Sequence, residues 1–146
     1  MTPQDRAEKC AGLMMAQDAA STGLGMTLER IAPGHAVLSM HVTDAMMNGH
    51  RICHGGFTFT LADSAFAFAC NSYNQRTVAQ QNQITYVASA HVGDRLTASA
   101  VEVSRAGRSG TYDVTVTSGA GTVIALFRGL SRTLKGQHFP EDGDPA

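Results

Sequence analysis

Apolar residues recur at helical spacing near the start of the chain, at Ala7, Cys10, Ala11, Met14 and Met15, which predicts an amphipathic helix from about Pro3 to Ala20, ended by Gly23 and Gly25. The period then changes. Leu24, Met26 and Leu28 alternate with polar residues, Pro33-Gly34 supplies a turn, and Ala36, Leu38, Met40 and Val42 alternate again, so the stretch reads as a β-hairpin. Asp44 to Cys53 is a polar, glycine-containing loop. From Gly56 to about Tyr73 the chain is almost wholly apolar and punctuated by phenylalanines, which predicts a long helix. Four strands follow, over Thr77–Ser89, Asp94–Ser104, Thr111–Thr117 and Thr122–Thr133, joined by the glycine-bearing turns "HVGD", "RAGRSG" and "SGAG". The order is helix, two strands, one apolar helix, four strands. A helix that apolar must be covered on most sides, and a single antiparallel sheet curled around it covers only part of its circumference; a partner subunit would close the rest. Residues 1–135 are expected to form a single domain, and the tail "GQHFPEDGDPA", residues 136–146, has the composition of a flexible segment.

Composition narrows the chemistry. Lys+Arg and Asp+Glu balance at 11 against 12, with no basic stripe for nucleic acid and none for an anionic membrane surface. The start "MTPQDRAEKCAG" lacks the apolar core of a secretory signal, and no run approaches the ~18 apolar residues of a membrane span, so the cytoplasm is the expected compartment. The three cysteines, Cys10, Cys53 and Cys70, are widely spaced without a C-x-x-C pair, and reduced thiols are expected. The six histidines lack the i, i+4 pairing of helix-borne ligands, so no metal is expected.

Candidate chemistry concentrates in "NGHRICHGGFTFTLAD", from Asn48 to Asp63. Gly55 and Gly56 stand where the apolar helix should begin, and the first N–H groups of a helix have no intrahelical partner and lie at the positive end of its dipole. Such an end suits a developing oxyanion, and glycine allows close approach; two glycines also fit a bare loop-to-helix turn. Asp63 sits among Phe57, Phe59, Leu61, Ala62, Ala65, Phe66, Phe68 and Ala69. Either it is satisfied by Thr60, Ser64 or a distant arginine, or it is a costly buried carboxylate kept as general base or nucleophile. Eight residues at 1.5 Å per residue separate Gly55 from Asp63 by about 12 Å, too far for both to act on one carbonyl. If they cooperate, Asp63 serves a substrate held at Gly55 of a second subunit, across a two-fold axis that sets the helices antiparallel. His54 and Asn48 are polar neighbours open to either structural or catalytic use. A Cys53–His54 nucleophilic pair is disfavoured, because adjacent residues in an extended loop point apart.

The block "NGHRICHGGFTFTLADSAFAFACNS", Asn48 to Ser72, closely resembles the signature of the phenylacetic-acid-degradation (PaaI) group of hotdog-fold acyl-CoA thioesterases, with weaker similarity through "GDRLTASAVEV" and "TVIALFRGLSR". The resemblance implies an α+β hotdog fold: an antiparallel β-sheet wrapped around the long central α-helix, plus the N-terminal helix, paired into dimers and commonly tetramers. It implies hydrolysis of acyl- or aryl-acyl-CoA thioesters, with coenzyme A as part of the substrate and no separate cofactor. By position, Asp63 matches the family's catalytic acid, Gly55 the residue whose N–H polarises the carbonyl, and His54 and Asn48 the polar pair that orients carbonyl and water. Some relatives carry a hydroxyl on the strand after the helix; Ala79 falls near that place here, with Gln80, Gln81 or Asn82 as substitutes. Coenzyme A needs cations for its phosphates, and Arg105 and Arg108 in "SRAGRSG" are candidates, a solvated turn being the plainer alternative. Pocket width is expected to depend on residues such as Phe57, Phe66 and Tyr73. Two other readings share the fold: an enoyl-CoA hydratase or dehydratase, which releases no free thiol, and a non-catalytic acyl-CoA-binding module, for which a buried Asp63 has little use.

Overall fold

A computed structural model describes residues 1–142. Helix α1 (Pro3–Gln17) opens on a reciprocal cap, Asp5 N–H donating to Thr2 Oγ1 and Thr2 N–H to Asp5 Oδ2, with Pro3 in the first turn. The expected single helix to Ala20 is instead two. Asp18 leaves helical geometry and its carboxylate accepts from Ser21 N–H at 2.9 Å, so the chain restarts as the short α2 (Ala19–Gly23). The hairpin follows as β1 (Thr27–Ala32) and β2 (His35–His41), turning at Gly34 with φ +71°. Helix α3 (Gly55–Cys70) precedes β3 (Thr77–Tyr86), β4 (Arg95–Ala106), β5 (Ser109–Thr117) and β6 (Val123–Thr133).

These strands form one antiparallel sheet in the order β1-β2-β4-β5-β6-β3, with α3 packed across it. Leu61, Ala65, Phe66 and Phe68 on the helix meet Leu38, Leu96, Val114 and Phe127 on the sheet in one buried cluster. Gly129 on β6 is glycine for a steric reason: a Cβ there would lie 2.7 Å from the Phe66 ring. The helix is not covered all round. Gly56, Thr60, Asp63 and Ala67, at helical spacing, form a stripe the chain leaves partly open.

α3 ends three residues before the expected Tyr73. Asn71 clips it to the next strand, donating to Ala67 O and Thr77 O and accepting from Thr77 N–H. The expected flexible tail is packed as far as it is described. Asn74, in the left-handed region at φ 57°, donates to Phe139 O and accepts from the His138 and Phe139 N–H groups. Phe139 is buried under Lys9, and Glu141 pairs with Arg6. Composition could not reveal this, because the holding group is a single side chain 65 positions upstream of Phe139. The expectation for residues 143–146 lies outside the described residues.

The two sheet edges differ. Helix α1 lies against β1, and Gln4 Nε2 donates to Ile31 O at 2.8 Å. The outer edge of β3 pairs with no strand among the described residues, and most of its residues are exposed.

Candidate active site

His54 is the N-cap of α3: its Nδ1 accepts from Gly56 N–H at 2.9 Å and its carbonyl from Phe57 N–H at 3.0 Å. Nδ1 is therefore an acceptor, and the neutral ring carries its hydrogen on Nε2. His54 thus takes the Gly56 and Phe57 donors, while Gly55 N–H has no hydrogen-bond partner among the described residues. Backbone bonds hold the approach to the helix, His54 N–H to Met46 O and Cys53 N–H to Ala90 O, both 2.8 Å.

Gly55 is hemmed in from the sheet. Tyr86 Oη donates to Gly55 O at 2.8 Å, and a Cβ on Gly55 would meet the Tyr86 ring at 2.8 Å. A Cβ on Gly56 would lie 3.0 Å from His54 Nδ1. Both glycines thus have packing reasons beside any catalytic one. Gly55, Asn48, Ile52, Tyr86, Ala90 and Ile124 line a cavity of about 370 Å³. Asn48 Oδ1 accepts from His50 and Ile52 N–H and curls the loop, in which Arg51 takes φ 60°; Asn48 Nδ2 has no described partner. Asn48, His54 and Gly55 are thereby brought together, His54 acting on the helix end rather than facing the cavity.

Asp63 lies two turns further along the same helix, half-buried on the open stripe. Its expected alternative partners are engaged elsewhere: Thr60 Oγ1 donates to Gly56 O at 2.8 Å, and Ser64 Oγ bonds Ser21 Oγ at 2.9 Å. Asn82 Nδ2 on β3 donates to Asp63 Oδ1 at 2.8 Å instead. Burial pushes the Asp63 carboxyl above its usual value, and the Asn82 bond opposes that shift. Asn82 Oδ1 is the one buried side-chain oxygen or nitrogen without a hydrogen bond among the described residues. The sequence leaves Gln80, Gln81 and Asn82 open as substitutes where Ala79 lacks a hydroxyl, and a β-bulge decides among them: the β3–β6 register shifts between Ala79 and Gln81, so the inward side changes from Thr77 to Asn82 and Ile84.

Several expectations are corrected by packing. Phe66 does not set pocket width, because it is buried against Tyr112 and Phe127. Tyr73 donates to Glu102 Oε1 at 2.9 Å, beside a second donation from Tyr112 at 2.8 Å. The "RAGRSG" stretch is not all turn. Arg105 belongs to β4 and stacks 3.4 Å above the Tyr73 ring, and the Arg108 carbonyl accepts from Thr133 N–H. Tyr73 follows the C-terminal end of α3, about 22 Å along the axis from Gly55, so within one chain the Arg105 site and Gly55 are not brought together. The Cys53–His54 pair is ruled out by geometry. Cys53 is buried, its thiol pushed up by burial and directed at the His54 carbonyl, while His54 Nδ1 is held by Gly56. Tyr86 was missed altogether, since an aromatic residue closing a strand carries no distinguishing signal.

The three cysteines are unpaired, and no three His, Cys, Asp or Glu side chains among the described residues are grouped to hold a metal ion. No helix of the described residues is long and apolar enough to cross a membrane.

Comparison with known proteins identifies the family. Residues 50–125 match the family described as the Thioesterase superfamily. The chain is 40% identical over 126 residues to the acyl-coenzyme A thioesterase PaaI of Escherichia coli K12, covering 86% of this chain and 90% of that one. The structure of the E. coli PaaI protein from the phenylacetic acid degradation operon superposes with a TM-score of 0.92 at 38% identity, over 93% of this chain and 99% of that one. A variant of the phenylacetic acid degradation protein PaaI from Thermus thermophilus gives 0.77 at 38% identity, over 80% and 100%. A Streptococcus mutans protein bound to acetyl CoA gives 0.74 at 26% identity, over 77% and 90%.

Proposed function

The chain belongs to the thioesterase superfamily, with the hotdog fold, and on that premise we propose that it hydrolyses acyl-CoA thioesters to free acid and CoA, with aryl-acyl-CoA esters such as phenylacetyl- or hydroxyphenylacetyl-CoA as the preferred class. The observation that carries the proposal is the division of one helix into two half-sites: Gly55, lining a cavity with its N–H unpartnered among the described residues, and a desolvated carboxylate, Asp63, about 12 Å further along. The names of the relatives support the CoA thioester and the aryl group.

Two copies of the chain complete the site. The unpaired edge of β3 supports their association: antiparallel pairing of β3 with its copy places the two α3 helices antiparallel, so that Gly55 of one subunit and Asp63 of the other address the same carbonyl. Gly55 N–H, at the positive end of α3, stabilises the charge that develops on the thioester oxygen. Asp63 acts on the opposite side of the reacting carbon, on water or on the carbonyl itself. His54 holds the helix start in shape, and Asn48 Nδ2 is free to position carbonyl or water. The same arrangement gives Arg105 and Arg108 a route to the CoA phosphates, since it brings the C-terminal end of one α3 towards the N-terminal end of the other. Exposed Val101, Val103 and Leu126 support a further pairing of dimers into a homotetramer, and unpaired cysteines support a reducing, cytoplasmic setting.

The test is thiol release from a panel of phenylacetyl-, hydroxyphenylacetyl-, benzoyl- and straight-chain acyl-CoA esters. Activity should favour the aryl members, and Asp63→Asn should lower kcat by about 10²- to 10⁴-fold. Turnover without free thiol would identify a hydratase, and binding without turnover a non-catalytic module. Mixing Asp63→Asn chains with chains blocked at Gly55 tests the shared site: each homodimer is inactive, while the mixed dimer keeps one intact pairing and regains activity.

A further inference from the structure

Asn82 occupies an unusual position. Its amide nitrogen holds one oxygen of Asp63, while its amide oxygen is buried with no partner, the one such atom among the described residues. A buried acceptor left empty is costly, and among the described residues the other buried side-chain polar atoms are satisfied. An amide and a carboxylate in this orientation share a single bond. An amide and a carboxylic acid share two, because the acid O–H donates back to the amide oxygen and closes a ring. Within this chain, a proton on Asp63 is the change that would bring a donor to the carboxyl already bonded to Asn82, and so to its amide oxygen.

We propose that Asn82 is a positioning residue that holds Asp63 in both protonation states, its Nδ2 bonding the carboxylate before reaction and its Oδ1 receiving the hydrogen that Asp63 takes from the attacking water. The inference rests on the thioesterase reading above and names the step at which Asp63 works. Water loses a proton to Asp63 Oδ2 as its oxygen bonds the carbonyl carbon, and the carbonyl π pair moves to the oxygen facing Gly55 N–H. The tetrahedral intermediate collapses with cleavage of the C–S bond, and the thiolate takes the proton back from Asp63. The products are the free acid and the CoA thiol, and the carboxylate returns to its single bond with Asn82. No covalent bond forms between Asp63 and the acyl group. The surroundings fit a group that changes charge alone. Among the described residues, the Cys70 thiol on the same helix feels the charge of Asp63 and is itself held neutral by burial, and the residue bonded to Asp63 from β3 is the uncharged Asn82.

Asn82→Leu removes both bonds and Asn82→Ser restores a hydroxyl able to donate or accept. The expected result is a fall in kcat of about 10- to 100-fold for Asn82→Leu with KM within about twofold, partial recovery in Asn82→Ser, and thermal stability retained in both. A single turnover in ¹⁸O-water with enzyme in excess should put the label in the product acid and none in the peptide containing Asp63. The inference is overturned if label enters Asp63, if Asn82→Leu keeps kcat within twofold, or if its loss follows a fall in thermal stability that Asn82→Ser shares. Asp63→Asn, run alongside, separates the two levels: full activity there would sink the role of Asp63 itself, whereas an inactive Asp63→Asn beside an undisturbed Asn82→Leu would sink only the role of Asn82.

Discussion

Replacing Gly55 by alanine should separate catalysis from stability at one methyl group. The added Cβ would stand 2.8 Å from Tyr86 Cζ, 2.9 Å from its Oη and 3.0 Å from Cε1, where ordinary contact begins at 3.4 Å. The ring must retreat by about 0.6 Å at the closest atom, and it has room to do so because Tyr86 is half exposed. Its retreat sacrifices the 2.8 Å bond to Gly55 O, worth about 1 kcal/mol. Gly55 is not in the left-handed region, so alanine strains no backbone there and gains up to about 1 kcal/mol of helix propensity. The two nearly cancel, and the melting temperature should move by only a few degrees. Catalysis has no such compensation, because the methyl group and the displaced ring intrude on the cavity beside the free N–H. Misplacing a carbonyl by an ångström from its donor costs about 10²-fold in rate. The assay is thiol release from phenylacetyl-CoA alongside thermal unfolding, with Gly55→Ala/Tyr86→Ala as companion, in which removing the ring should return part of the lost rate. Gly55→Ala protein that keeps kcat within twofold would refute the oxyanion role of this N–H.

Further expectations concern charge, the tail and the thiols. Asp63 titrates above its usual 3.8 because burial disfavours its ionised form, so kcat/KM should decline on acidification through a pKa above 3.8, seen in the acid limb of the pH–rate profile. The same shift has a sign for stability: the folded state resists ionisation more than the unfolded chain does, so the penalty is full above the folded pKa and vanishes below the unfolded one. Asp63→Asn should therefore melt higher than the parent at neutral pH, with the difference closing in acid. Asn74→Ala loses three hydrogen bonds to His138 and Phe139 and places alanine at φ 57°, which should cost about 2–3 kcal/mol in urea unfolding. All three cysteines are buried, with Cys70 pushed up to about 12, so a thiol-reactive chromophore should find no fast-reacting thiol in the native protein and three after denaturation.

What could be read in advance depended on whether a signal was local. The apolar run after Gly55 and the alternation in the strands follow the geometry of single elements, and their order suffices to wrap a sheet around α3. The Gly55–Asp63 spacing was equally legible, because helix rise is fixed. Asn82 was visible only as one of three candidates. Its choice depends on a bulge at Gln80, where register against β6 rather than any property of the residue turns Asn82 inward. Arg105 looked like part of a solvated turn, since nothing in "RAGRSG" announces that Tyr73, distant in sequence, offers it a ring to stack on. The residues after Lys135 read as a loose end for the same reason, with Asn74 supplying from afar the partners they lack among themselves.

The bare outer edge of β3 also sets how this chain can fail. Along its ten residues the N–H and C=O groups that face away from β6 have no strand partner among the described residues, and with Val78 and Tyr86 exposed beside them they form a template that accepts any extended segment, whether or not it is the right one. A chain with that edge left open therefore risks precipitating before it unfolds, through pairing with strands in the wrong register. The bulge at Gln80 limits this by twisting the edge and breaking its regular repeat. Straightening that bulge by deleting Gln80 should yield protein whose loss during purification is governed by concentration rather than by temperature.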